Sequence, residues 1–267
     1  MKQVNVMVIG AHPDDCEGGC GGIALKYIKE GSKVTFVSVT DGSAGHQTMD
    51  RKTLANVRRE EAERSAAVSG VKSIVLDHPD GLLENTLENR EEMVRLIRNI
   101  KPDIIFTHRI NDYHPDHRTT SQIVEDSSYL VMVPAVCPDV PALDYQPAIF
   151  FIYDFFRYPY RFHPDIAVGI DDVIDQKIQM TSCHKSQYHD FLPWMALKQG
   201  EIDSTYDIDN YARDAIVNWD RKVADECRQE LDRRYGKSET FQYAEAYELS
   251  EYGSQIPESE LEEYFPR

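Results

Sequence analysis

Val4-Asn5-Val6-Met7-Val8-Ile9-Gly10 is a nearly unbroken apolar run closed by a glycine. That is the pattern of a strand covered on both faces. Similar runs recur at 33–40, 73–77 and 103–108. Between them, apolar residues fall at helical spacing near 18–30, 53–69, 88–100 and 119–131, with Gly31 and Gly70 placed to stop the first two helices. Strictly alternating strands and helices predict an α/β fold built on a mainly parallel sheet with helices on both sides. The second half is less regular. Val133-Pro134 through Val140-Pro141 holds three prolines and reads as a loop, a candidate cover for a site. Strands resume at about 148–155 and 166–170, followed by helices over roughly 171–186 and 209–235. In the last of these, Ala212, Ile216, Trp219, Val223, Cys227 and Leu231 form one apolar stripe, which core packing explains. No repeat or linker interrupts the chain. It is read as a single domain over 1–267, with an irregular segment at about 132–165 and a helical C-terminal part.

Composition narrows the picture. A formal charge of −17 disfavours a phosphate-backbone partner, so no nucleic acid is expected. The longest apolar run, Ala148 to Tyr153, is far short of a bilayer span, and no membrane association is expected. Met1-Lys2-Gln3 runs directly into the first strand without a signal-peptide pattern. Five cysteines without a CxxC pair fit reduced thiols better than a disulfide framework, and a cytoplasmic location is expected.

Chemistry concentrates in two loops. The first strand exits into Ala11-His12-Pro13-Asp14-Asp15-Cys16-Glu17, and the fourth exits into Asp112-Tyr113-His114-Pro115-Asp116-His117. Parallel strands open their C-terminal ends on one side of the sheet, so the two loops can meet there. His12, Asp15 and His117 then supply two imidazoles and a carboxylate, the three-ligand form of a catalytic zinc site. Asp14 is left over as a general base, and His114 as an acid or oxyanion partner with Asp116 available to orient it. Each loop alone is also an ordinary turn sequence, since Pro and Asp are common in turns. Two of them after two parallel strands favour a site.

Two rival sites draw on overlapping residues. Gly19-Cys20-Gly21-Gly22-Ile23-Ala24 matches G-x-G-x-x-A, with Asp41 placed as a ribose-binding acid. However, Gly19 lies nine residues past the strand-ending Gly10, and three acids would confront a pyrophosphate. The glycines are read instead as permitting close helix packing. A two-His, one-carboxylate set can also hold Fe2+ for oxygen chemistry, but that use leaves Asp14 and His114 idle. His46, His78 and His163 are read as surface or loop residues, and His108 as a structural residue beside the ligands.

The chain resembles the PIG-L/LmbE-like zinc de-N-acetylases. The resemblance rests on A-H-P-D-D-x-E-x-G-x-G-G at 11–22 and D-x-H-P-D-H at 112–117. Weaker matches are Arg58-Arg59-Glu60-Glu61, the acid in Pro79-Asp80-Gly81, His184-Lys185-Ser186-Gln187 and Tyr243 to Tyr247. It implies a Rossmann-like three-layer sandwich and removal of acetyl groups from N-acetylglucosamine-type amino sugars or their conjugates. It further implies Zn2+, or another divalent metal such as Fe2+, on His12, Asp15 and His117, with Asp14 as base and His114 as its partner. Arg58 and Asp80 occupy the positions at which the family holds the sugar. Some relatives cleave larger glucosaminyl amides, and some are oligomers, so a homo-oligomer is compatible with the resemblance. A non-catalytic sugar- or metal-binding protein on the same fold is the competing reading, and it gives Asp14 and His114 no task.

Overall fold

A computed structural model describes all of residues 1–267. The strands are β1 (Asn5–Gly10), β2 (Lys33–Thr40), β3 (Lys72–His78), β4 (Ile104–Thr107), β5 (Ala148–Ile152), β6 (Ile166–Gly169) and β7 (Ala244–Gly253). They form one sheet in the order β3-β2-β1-β4-β5-β7-β6. The first five pair in parallel, and β7 runs antiparallel to both β5 and β6. The mainly parallel sheet is therefore as expected. The helical C-terminal part also contains a strand, β7, which fills the gap between β5 and β6.

Alternation along the strands divides the core into two layers. Val6, Val8, Ile104, Phe106 and Phe150 face one apolar layer, and Met7, Ile9, Ile105 and Ile149 face the other. The first layer is closed by α1 (Asp15–Lys29), α2 (Arg51–Ser69) and later α5 (Ile174–Thr181) and α7 (Tyr211–Glu226). The second is closed by α3 (Leu87–Ile100) and α4 (Pro115–Leu130). Each fully buried Val, Ile or Met here contributes about 1.5–3 kcal/mol relative to exposure. The glycines of α1 serve this packing: a Cβ on Gly19 would meet Ile152 Cγ2 at 2.6 Å, and one on Gly22 would meet Ile170 Cγ2 at 2.7 Å. No groove remains there for a pyrophosphate. Asp41 accepts from Ser43 N at 3.0 Å and Asp80 N at 3.2 Å, which ties down a loop.

Several boundaries shift in ways that matter for function. The first helix begins at Asp15 rather than 18, and α4 begins at Pro115 rather than 119. The two acid-rich loops therefore pass directly into helix N-termini. The 171–186 helix is shorter and leads into a π-helical turn, Ser186–Phe191, before α6 (Leu192–Gln199). The 209–235 helix breaks at Cys227 into α7 and α8 (Arg228–Tyr235). The proline-rich loop does not cover the site. Buried Arg98, at the end of α3, donates to the carbonyls of Leu130, Val131, Val133, Val136, Cys137 and Val140. That pins the loop at the N-terminal edge of β4, opposite the acid-rich loops. It is the later part of the irregular segment, after β5, that returns to the site: Arg109 forms a buried bidentate pair with Asp154, at 2.5 and 2.6 Å. All five cysteines are free. No helix is long and apolar enough to cross a membrane.

Candidate active site

Strand order reverses at β1, which has β2 on one side and β4 on the other. Crevices outside the carboxyl ends of strands at such a switch point are the usual ligand sites of open α/β sheets. The loops after β1 and β4 both emerge there, in register through Ile9 opposite Thr107. Ala11 N donates to His108 Nε2 at 3.1 Å, joining the two loops through a backbone-to-side-chain hydrogen bond.

Three donor atoms meet in this crevice. His12 Nδ1 lies 3.4 Å from Asp15 Oδ2 and 3.2 Å from His117 Nε2, and the last two are 3.5 Å apart. A tetrahedral ion with ligands about 2.0–2.1 Å away separates its donors by roughly 3.3 Å, so the triangle fits zinc without rearrangement. Other groupings of ligand-type side chains overlap it, including His12 with Asp80 and Asp116, and Asp15 with His108 and His117. The triangle is the better metal set because the second nitrogen of each histidine already faces a carboxylate. His12 Nε2 is 3.2 Å from Asp116 Oδ2 and 3.3 Å from Asp80 Oδ1, and His117 Nδ1 is 3.1 Å from Asp112 Oδ2. The Asp116 hydrogen bond fixes the His12 ring and its tautomer, the Asp112 carboxylate draws the Nδ1 edge of His117 by charge, and the opposite nitrogen of each ring is left free for a metal. Burial works against charge on His12, yet these carboxylates hold its pKa well above the usual range. Burial works against charge on Asp15 too, and His117, His108 and His12 hold it well below. His108 stacks on His117 at 4.0 Å between centroids and 11° between planes.

Asp14 points out of the triangle. Its backbone has φ 128°, ψ −22°, a region that favours glycine, so this side chain is held at the cost of local strain. Burial pushes its carboxyl up to about 6, against the pull of the Arg58 guanidinium. A carboxylate poised near neutrality is what general-base catalysis requires. His114 caps α4 through its ring: Nδ1 accepts from Asp116 N at 3.2 Å, which assigns the proton to Nε2. Burial and the neighbouring His12 and His117 rings keep its pKa low. Its ring stands edge-on to His12, 4.6 Å away.

Three of the expected site residues engage neighbouring groups of the chain in this structure. Asp116 does not orient His114 with its carboxylate, which instead holds His12 and accepts from Gly81 N at 2.6 Å. Arg58 does not present a free fork to a sugar. It is 1% exposed and donates to Asp14 Oδ1 at 2.6 Å, to Pro13 O and to Gly42 O. Asp80 is likewise spent, on His12 and on Ala44 N at 2.9 Å, and these donors bring its pKa down to about 2 despite burial. Asp112 was missed. Its place five residues before His117 resembles an ordinary loop acid, and only the fold turns it onto that ring. Of the other histidines, His163 is exposed, His78 pairs with Glu92 at 2.6 Å, and His46 is a half-buried loop residue whose side chain is 5% exposed.

Known proteins are similar to this chain in sequence and fold. A family model described as PIG-L, GlcNAc-PI de-N-acetylase, matches residues 7–128, which carry both loops. The diacetylchitobiose deacetylase of Thermococcus kodakarensis is 33% identical over 191 residues, covering 68% of this chain and 70% of that one. The chain belongs to the PIG-L family. Its fold matches that of the N,N′-diacetylchitobiose deacetylase from Pyrococcus horikoshii, with a TM-score of 0.72 at 23% identity, over 97% of this chain and 86% of that one. It also matches GalB, the 4-carboxy-2-hydroxymuconate hydratase of Pseudomonas putida, with a TM-score of 0.71 at 17% identity, over 96% and 99% of the two chains. The fold alone, then, does not select the reaction, and the site must.

Proposed function

We propose that this chain is a divalent-metal-dependent hydrolase, with zinc as the ion, that removes the acetyl group from an N-acetylglucosamine-type amino sugar or its conjugate. The observation that carries the reading is the triangle of His12, Asp15 and His117 with a strained, Arg58-held carboxylate beside it. When bound, the ion would acidify a coordinated water and polarise the acetamide carbonyl.

The remaining work falls to the chain. Asp14 takes the proton of the attacking water as its oxygen adds to the acetyl carbon. The same proton is delivered to the sugar nitrogen as the C–N bond breaks, so acetate and a free amine leave. His114, neutral and with its hydrogen on Nε2, stabilises the charge developing on the carbonyl oxygen or accompanies the departing amine. Asp112, Asp80 and Asp116 keep the two imidazoles aligned. A binding protein that had lost catalysis would have no use for strain at Asp14 or for a buried arginine behind it, and this favours the enzyme. An amino-sugar amide is the substrate class suggested by the relatives, and a cytoplasmic location accords with the free thiols. Incubation of the zinc-loaded protein with a panel of N-acetylglucosaminides, assaying acetate and free amine together, tests the proposal. Release of neither product across the panel overturns it.

A further inference from the structure

Between the loop after β5 and helix α7 lies a cavity of about 280 Å3 that the proposed reaction does not use. The loop runs from Phe155 to Pro164 with five aromatic residues, two arginines and no acid, in a chain whose formal charge is −17. Arg157 and Arg161 from the loop and Lys222 from α7 line the cavity, together with Phe155, Phe156 and Phe162. No carboxylate pairs with any of these three cations, and Lys222 Nζ lies over the Phe155 ring at 3.9 Å. The acids on the same wall are engaged. Asp154 is held by Arg109, and Glu226 accepts from Tyr153 Oη at 2.5 Å.

The loop is fixed from beneath. Fully buried Arg109 donates to Phe156 O at 3.2 Å and to Tyr160 O at 3.4 Å, and Asp154 Oδ1 accepts from Phe156 N at 2.9 Å. A buried ion pair thus holds the backbone that presents the two arginines, so little backbone ordering is left to a ligand. Because Arg109 and Asp154 cancel, the three cations are opposed only by Glu226, a surplus of two positive charges.

We infer that this cavity binds a small organic phosphate, a monoester with an apolar ring, its oxygens on Arg157, Arg161 and Lys222 and its ring against the phenylalanines. A phosphate monoester carries about −2 at neutral pH, which matches the surplus, and guanidinium forks fit its oxygens. A carboxylate brings half that charge, and a neutral sugar leaves the cations unused. The Phe156 ring is 6.0 Å from Tyr113, whose ring is 5.8 Å from the His117 ring, so the cavity neighbours the crevice without sharing its donors. The phosphate can therefore belong to a separate ligand or to a substituent of the substrate itself.

Phenyl phosphate supplies both halves of such a ligand, and inorganic phosphate and phenol supply one each. Calorimetry on the full-length, zinc-loaded protein should show phenyl phosphate binding more tightly than either, and weakening as salt is raised. Arg157→Gln, Arg161→Gln and Lys222→Met should each weaken it about 3- to 10-fold, a range set by charged hydrogen bonds that are partly exposed, with zinc content and Tm unchanged. Lys72→Gln makes the same change of charge at the start of edge strand β3 and should leave the affinity as in wild type. No binding by wild type, or an equal loss in Lys72→Gln, overturns the site. Wild-type affinity in all three cavity variants also overturns it, by assigning the phosphate to the metal. The source follows from turnover of an N-acetylglucosaminide with and without a phosphate on its aglycone. A KM advantage for the phosphorylated form that Arg157→Gln abolishes assigns the cavity to the substrate, and equal KM values assign it to a separate ligand. The binding measurements need no turnover, so failure of the deacetylase reading leaves them decisive.

Discussion

Arg58 offers the sharpest division between a sugar-binding and a base-positioning role. Its guanidinium lies 2.6 Å from Asp14 Oδ1, fully buried, and opposes the burial that lifts the Asp14 carboxyl to about 6. At pH 7 such a group is about nine-tenths ionised. An adjacent arginine lowers a carboxyl by roughly 1–3 units, so its loss should move Asp14 to roughly 7–9. The ionised fraction at pH 7 then drops to between about one-half and one-hundredth. Because the ionised form is the active base, activity is present above this pKa and lost as pH falls through it. Raising the pKa therefore carries the acid limb of the kcat profile to higher pH. Arg58→Ala should lower kcat at pH 7 by roughly 2- to 90-fold, recovering as pH rises, with zinc content unchanged. Arg58→Lys keeps the charge without the fork and should move the limb less. The assay is kcat and KM against pH on zinc-loaded protein. An unmoved acid limb with a raised KM would refute the reasoning and return Arg58 to the sugar.

Asp80→Asn and Asp112→Asn each remove a carboxylate from behind a metal-binding imidazole and should weaken zinc affinity by about 10- to 100-fold, measured by competition with a chelator. An effect of Asp80→Asn on KM alone would support the sugar-binding role instead. Lys177 is fully buried between Asp220 Oδ1 at 2.8 Å and Glu245 Oε1 at 2.7 Å, so Lys177→Met should cost about 3–5 kcal/mol in urea unfolding by stranding two carboxylates. Burial also pushes Asp220 up to about 7, above its unfolded value. Its contribution to stability therefore declines as pH rises from about 4 to 7, a slope that Asp220→Asn should remove.

What could be read from the sequence followed from local pattern. β1 and β4 are short, mainly apolar and closed by loops rich in His, Pro and Asp, so strand, exit and ligand types could be inferred together. The missed strand β7, by contrast, has the sequence Ala244-Glu245-Ala246-Tyr247-Glu248-Leu249, rich in helix formers. Glu245 breaks its apolar face, yet it is buried because Gly22 N, Ile23 N and Lys177 Nζ all converge on it. Three partners from distant elements override the local preference, and no window of sequence contains them. Arg58 and Asp80 show the same limit at the site. Their positions were expected at the crevice and they lie there, but which way each faces depends on Asp14 and His12, roughly 45 and 70 positions away. The break at Cys227 likewise leaves the apolar stripe intact, so periodicity could not reveal it.

The central claim is the division of labour between two adjacent carboxylates, and zinc content and turnover measured on the same preparations of Asp14→Asn and Asp15→Asn test it most directly. The account predicts that Asp15→Asn loses most bound metal. Asp14→Asn should keep its metal and lose turnover by about 10²- to 10⁴-fold, the usual worth of a general base. Full turnover in Asp14→Asn, or loss of zinc from that variant while Asp15→Asn retains it, would contradict the assignment.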